Sequence, residues 1–259
     1  MARYQLTLAY DGTNFFGSQR QTNKRTVQGE LERALSKLGW TGRSVIMSGR
    51  TDTGVHATGQ VAAFDLDWSH PDEELVRALN ATLPTDLVVH KVRTVQPKFH
   101  PRFDATSRCY RYRLFCQQLR DPIRERFAWR VWPEVNAEIL ADTAQLFLGM
   151  HDFSAFGSPT ISGSSTVRTV MKADWHQAGA DEWHFEVQAN AFLYRMVRRL
   201  VFVQVAVAQG KVSAEVISRS LAKQVPAGAR SKLPAGLAPA HGLTLVEVTY
   251  PNNIESIDQ

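Results

Sequence analysis

The chain has 259 residues, 44% of them hydrophobic, and sets 30 Lys plus Arg against 25 Asp plus Glu for a net charge of +5. That length and apolar share suit one large folded unit or two smaller ones, so disorder is not the default reading. No apolar run approaches the ~20 residues of a membrane span, and the first residues lack the basic-then-apolar layout of a secretion signal, so a cytoplasmic protein is expected.

In chain order, Tyr4, Leu6, Leu8 and Tyr10 alternate with Gln5, Thr7 and Ala9, the period of a half-buried strand that stops at the Asp11-Gly12 turn. Val27, Leu31, Ala34, Leu35 and Leu38 then recur at helical spacing, with Gly39 as the stop. Residues 44–47 and 60–64 read as strands, followed by a helix over about 71–81 and a strand over about 87–95. The second half repeats this order. Tyr110, Tyr112 and Leu114 form one face of a strand and Arg111 and Arg113 the other; a helix follows over 137–149. Strands near 167–176 and 183–189, an apolar helix over 191–209, a helix over 212–223 and a closing strand over 243–250 complete the chain. Residues 157–165, rich in serine and glycine, read as a flexible loop. The predicted fold class is α+β: two similar mixed α/β halves with largely antiparallel sheets around a central cleft, residues 1–104 and 105–259.

Arginines gather over 108–113, 120–130 and 195–199, whereas acids collect over 72–74 and at Glu255 and Asp258. Guanidinium forks fit phosphate and stack on bases, so arginine interleaved with tyrosine suits RNA; a solvated basic face is the plain alternative, and charge alone does not decide between them. Cys109 and Cys116 fit neither a disulfide framework nor a zinc pair. The eight histidines show no metal-ligand spacing, and neither a P-loop nor a dinucleotide fingerprint occurs, so no metal and no cofactor are expected.

The stretch Ser48-Gly-Arg-Thr-Asp-Thr-Gly-Val-His-Ala57 places Arg50 two residues before Asp52 among small residues. If the preceding strand continues through it, the two side chains share a face, and a guanidinium beside a carboxylate favours the ionised form. An ionised carboxylate suits a nucleophile better than a general acid. A polar turn with an internal salt bridge is the bland reading. Asp52-Thr-Gly54 is also the aspartic-protease triplet, but those enzymes share one proton between two carboxylates, and this chain holds a single copy preceded by arginine. His56 stands near Ser48 without a nucleophile-elbow pattern and is expected to be structural or to contact substrate.

Gly49-Arg-Thr-Asp-Thr-Gly-Val-His-Ala-Thr-Gly-Gln-Val61 resembles the catalytic segment of the TruA family of tRNA pseudouridine synthases. Tyr10-Asp-Gly-Thr-Asn-Phe-Phe-Gly-Ser-Gln-Arg-Gln21, Phe99-His-Pro-Arg-Phe-Asp-Ala-Thr106 with Arg108-Cys-Tyr-Arg-Tyr112, Ala189-Asn-Ala-Phe-Leu-Tyr-Arg-Met-Val-Arg198 and Ala238-Pro-Ala-His-Gly-Leu-Thr-Leu-Val-Glu-Val248 are similar to the family's other segments, in the same order. The resemblance runs from about Tyr4 to Pro251. It implies the pseudouridine synthase fold and isomerisation of uridine to pseudouridine at positions 38, 39 and/or 40 of the tRNA anticodon stem-loop, without a cofactor or metal. It further implies Asp52 as nucleophile, Tyr110 stacking on the uracil, Arg198 pairing with the aspartate and Arg50 contacting RNA or the carboxylate. Arg108, Arg111, His56, Arg102 and Arg195 are the other implied substrate contacts, and the implied assembly is a homodimer with tRNA lying across both subunits.

The residues themselves suit that chemistry. A base drawn from a stem needs an aromatic platform and basic walls, which Tyr110 with Arg108, Arg111 and Arg113 can offer; an ordinary core face is the alternative for Tyr110 and Tyr112. Arg198 sits among Phe192, Met196, Val197, Leu200 and Val201, where a buried guanidinium would need a carboxylate, with Asp52 the candidate. Three departures stand out: Ser18 where the family often has tryptophan, Tyr194-Arg195 where a histidine pair is usual, and Arg199 where asparagine is common. The rival from another class is a tRNA-binding protein or RNA chaperone that keeps the fold without turnover. A carboxylate glycosidase would normally need a second catalytic carboxylate, which these segments do not supply.

Overall fold

The computed structural model describes residues 1–161, 163–222 and 233–251. Glu255, Asp258, Ser162 of the serine-rich loop and Lys223 at the end of an expected helix lie outside the described residues. The chain divides into two compact units, Met1–Arg108 with the closing segment from Thr244, and Cys109–Leu243. The first break follows Arg108. The closing strand, however, belongs to the first unit and not to the second half of the sequence, because Thr244 and Leu245 pair in parallel with His56 and Ala57.

The first unit contains β1 (Ala2–Tyr10), α1 (Val27–Lys37), β2 (Ile46–Met47), β3 (His56–Leu66), α2 (Asp72–Asn80), β4 (Leu87–Val95) and, from the end of the chain, β10 (Leu243–Thr249). The sheet runs β4-β1-β3-β10 with β2 against β3, and β1 is antiparallel to both of its neighbours, β4 and β3. Alternation places Leu6 and Leu8 on the face that meets Leu31 and Leu35 of α1 and Leu75 and Leu79 of α2, and that layer is the core. Ala63, Val95 and Phe99 form a smaller cluster with Tyr250 packed against it. Helix α1 begins where the Thr26 hydroxyl accepts from the Gly29 N–H, and it stops before Gly39, whose φ of +86° ends the helical path.

The second unit contains β5 (Ser107–Cys116), β6 (Trp129–Val131), α3 (Ala137–Gln145), β7 (Gly149–Asp152), β8 (Val167–Gln177), β9 (Glu182–Ala189), α4 (Met196–Ala208) and α5 (Glu215–Leu221). Its sheet runs β5-β9-β8-β7, with β6 beside β5. Helix α4 buries Leu200, Val201, Val203 and Val205, and Phe147, Phe153 and Phe156 pack their rings together. Three expected elements change. Helix α3 ends at Gln145 and the chain re-enters a strand at Gly149. Helix α5 is shorter than the expected 212–223 helix. Helix α4 starts at Met196, not 191, because the backbone before it is engaged elsewhere: the Asn190 side chain accepts from the Ala191 N–H, and the Tyr194 N–H donates to the Ser158 carbonyl. Arg195 then caps the helix from the left-handed region, at φ +61°. Among the described residues no helix is long and apolar enough to cross a membrane.

Candidate active site

The segment carrying Asp52 is not a continuation of strand, as expected, but a turn. Strand β2 ends at Met47, and the Val55 N–H donates to the Asp52 carbonyl at 3.1 Å. Just before that turn the backbone of Thr51 is held by Ser18 at both its polar groups: the Thr51 N–H donates to Ser18 Oγ at 2.8 Å, and the Ser18 N–H donates to the Thr51 carbonyl at 3.1 Å. Ser18 is fully buried, so this pair of bonds has no competition from water.

A neutral polar network continues beneath the turn. The Thr51 and Tyr10 hydroxyls lie 2.8 Å apart, Gln60 Nε2 donates to the Tyr10 oxygen and to the Gly49 carbonyl, and the Ser48 hydroxyl donates to Gln60 Oε1. Burial pushes the Tyr10 hydroxyl up to about 12, against the lowering effect of its bonds with Thr51 and Gln60, so it stays a protonated donor at neutral pH. Two glycines let the backbone close on this turn. A Cβ on Gly12 would stand 2.0 Å from the Val55 carbonyl oxygen, and Gly17, at φ +86°, would bring one to 2.8 Å from the Thr51 carbonyl oxygen.

Around this cradle the first unit gathers five of the expected site residues. Asp52 is half-buried and Arg50 exposed. His56 is buried, and its Nδ1 accepts from the Gly12 N–H at 2.9 Å. The Asp11 carboxylate is 3.2 Å from the same nitrogen, but the oxygen concerned already accepts from the Thr13 N–H and hydroxyl, and we assign Nδ1 to Gly12. Arg102 is exposed, whereas the Arg108 guanidinium reaches the carbonyls of Ser48, Ala105 and Arg102 at 3.2, 3.3 and 2.5 Å. Arg108 therefore ties the strand end that leads to Asp52 to the 102–105 turn.

The remaining four lie in the second unit. Tyr110 is half-buried, its ring edge-on to Phe192 at 5.1 Å, while Tyr112 is wholly buried and donates its hydroxyl to the Pro239 carbonyl. Arg111 is paired with Glu186 at 2.6 Å, in the same way that Arg113 is paired with Glu182 at 3.0 Å. Arg198 is half-buried near the start of α4 and donates Nε to the Ala238 carbonyl at 2.7 Å, which fixes the plane of its fork. Arg195 is exposed and lies over the Tyr194 ring at 4.7 Å.

Ser18, Tyr10 and Gln60 are the residues that residue-by-residue reading missed. Each occurs in a quoted segment, but a buried serine or glutamine carries no sequence sign of its burial. The sequence pattern of the family described as "tRNA pseudouridine synthase" matches residues 7–104 and 143–251. A protein named tRNA pseudouridine synthase A from Limosilactobacillus fermentum is 40% identical over 263 residues, covering 99% of both chains. Proteins of the same name from Halalkalibacterium halodurans and Geobacillus sp. are each 41% identical, over 94% and 96% of this chain and 90% and 99% of their own.

Proposed function

The chain belongs to the tRNA pseudouridine synthase family and isomerises uridine to pseudouridine in tRNA, and from that premise we propose that Asp52 is its nucleophile and that its targets are uridines 38, 39 and/or 40 of the anticodon stem-loop. The reaction breaks the bond from the ribose C1′ to N1, forms one from C1′ to C5, removes the C5 proton and leaves a proton on N1. No net electron transfer occurs, so a carboxylate and a well-shaped site suffice without a redox cofactor. The observation that carries the reading is the buried, uncharged scaffold under Thr51, which holds the backbone next to the half-buried Asp52 through both Ser18 bonds. Fixing a nucleophile in a near-attack position is worth several orders of magnitude in rate.

In this reading Tyr110 is the stacking platform for the extracted uracil, and Arg50 and Arg198 are the electrostatic partners of the carboxylate. The edge contact with Phe192 limits rotation of the Tyr110 ring, and the Ala238 carbonyl orients Arg198. His56, Arg102, Arg108, Arg111 and Arg195 complete the proposed substrate-binding set, with Arg108 acting through the turn it ties down. The working unit is a cytoplasmic homodimer with tRNA contacting both subunits.

Asp52→Asn tests the nucleophile. Pseudouridine formation is expected to fall by on the order of 10⁴-fold while tRNA affinity stays within a few-fold. Wild-type protein that binds tRNA but forms no pseudouridine would favour a non-catalytic RNA-binding role. Mapping pseudouridine in tRNA from cells with and without the gene tests the positions, and loss confined to sites outside 38–40 would overturn them.

A further inference from the structure

Phe103 is 75% exposed, although it sits in one of the most tightly bonded turns of the first unit. The turn is closed at both ends by Asp104, whose carboxylate accepts from the His100 N–H at 2.8 Å and whose own N–H donates to the His100 carbonyl at 3.0 Å. Inside it, His100 Nδ1 accepts from the N–H groups of Arg102 and Phe103 at 3.2 and 3.3 Å. The Tyr250 hydroxyl donates to the Pro101 carbonyl, and Arg108 holds the Arg102 carbonyl. A phenyl ring left in water on a loose loop would need no explanation, since single exposed apolar residues are common. Here the backbone is locked, so the ring is held out and cannot fold back onto the core.

The ring is also dressed in a particular way. The His100 imidazole stacks behind it at 4.2 Å between centroids and 27° between planes, and the Arg102 guanidinium lies 5.9 Å from its centre. An exposed aromatic ring with a guanidinium within 6 Å of its centre matches a nucleobase attached to a phosphate, because bases stack on aromatic rings and arginine meets the phosphate beside them. Position matters as well: one nitrogen of Arg108 bonds to both Arg102 and Ser48 carbonyls, and Ser48 precedes Asp52 by four residues, a span of at most about 14 Å.

We propose that Phe103, backed by His100 and accompanied by Arg102, is a stacking platform for a nucleotide of the tRNA other than the uridine being isomerised. This rests on the tRNA-modifying reading above and adds a substrate contact to it. The platform holds the RNA in register while the target base leaves its stack, so its contribution lies in binding and positioning and not in the bond-making step.

The test measures tRNA affinity and pseudouridine formation for Phe103→Ala, Phe103→Leu and Phe103→Trp. Phe103→Ala is expected to weaken tRNA binding about ten-fold, with the rate at saturating tRNA near wild type. Phe103→Leu, apolar but without a π face, is expected to behave like alanine, and Phe103→Trp to restore affinity. Arg102→Ala is expected to lower the salt slope of binding by about one phosphate contact. Equal affinity in the alanine and wild-type proteins, or rescue by leucine, overturns the platform. So does a change of molecular mass in sedimentation on Phe103→Ala, which would assign the ring to a protein contact. Repeating the binding series in an Asp52→Asn background separates the two readings: activity surviving Asp52→Asn removes the nucleophile assignment, whereas the affinity series still decides the platform.

Discussion

The cradle beneath Thr51 and the ladder of ions across β5, β9 and β8 both hold polar side chains in fixed places, yet they do it with opposite chemistry. The cradle is made of hydroxyls, an amide side chain and backbone groups: Ser18, Ser48, Thr51, Tyr10 and Gln60, all buried. The ladder is made of charges with partial exposure: Arg111 and Lys172 on Glu186, Arg113 and Arg124 on Glu182, and Arg124 on Asp181. Neutral buried bonds are insensitive to salt and, with Tyr10 titrating only at about 12, to pH across the physiological range. Exposed pairs are screened by salt and vary with pH. A carboxylate that must act at one position benefits from the first arrangement, and a sheet face of partly exposed charges can use the second.

The comparison breaks most sharply at the glycines under the candidate site. Gly12→Ala places a methyl group 2.0 Å from the Val55 carbonyl oxygen, and since the obstruction is backbone, the turn itself must shift. We expect a loss of about 3 kcal/mol in urea unfolding and a large fall in turnover; an unaltered protein would show that the turn is loosely held. Next in size is Ser18→Ala. It leaves the buried Thr51 N–H without its acceptor, costing about 1–3 kcal/mol. If the Ser18 bond positions Asp52, kcat falls by up to about 10²-fold while tRNA affinity is unchanged. A mutant that loses stability but keeps wild-type kcat would make Ser18 a packing residue only. Ser18→Thr, which retains the hydroxyl, is expected to recover part of kcat.

The elements that packing imposes locally were legible in the sequence, and the site's supports were not. Strand β4 has the expected bounds, 87–95, and α2 differs by one residue at each end, because short runs of apolar and polar residues mark such elements locally. The β10 pairing with β3 joins residues nearly two hundred positions apart, and no local pattern encodes it. Tyr110 and Tyr112 share a face by period, yet one is half-buried and the other fully buried, since alternation gives the face of a strand and not the depth of what covers it. Ser18 registered only as a departure from a frequent tryptophan, whereas in the structure its small hydroxyl is what reaches the Thr51 N–H. Arg111 and Arg113 read as a basic face, but Glu186 and Glu182 on the neighbouring strand pair with them, a balance visible only once β9 lies beside β5.

The smallest expected effect sharpens the other side of the comparison. Hydrogen bonding from Lys172, with further help from Arg111 and against the opposing effect of burial, holds the Glu186 carboxyl down to about 2, from an ordinary value of 4.5. A carboxyl depressed on folding contributes stability that is fully present above the unfolded value and is lost as pH falls through the folded one, so its share should disappear between about pH 4.5 and 2. Glu186→Gln removes that titration. The variant should be modestly less stable than wild type at pH 7, converge with it near pH 2, and show a smaller loss on adding salt at neutral pH. Turnover at saturating tRNA and pH 7 should change much less than in Ser18→Ala, because Glu186 does not hold the Thr51 backbone, and any effect of releasing Arg111 should appear in tRNA affinity. If Glu186→Gln instead cut turnover as deeply as Ser18→Ala while stability hardly moved, the ion ladder would be part of the reaction machinery, and the division between neutral cradle and ionic sheet face would fail.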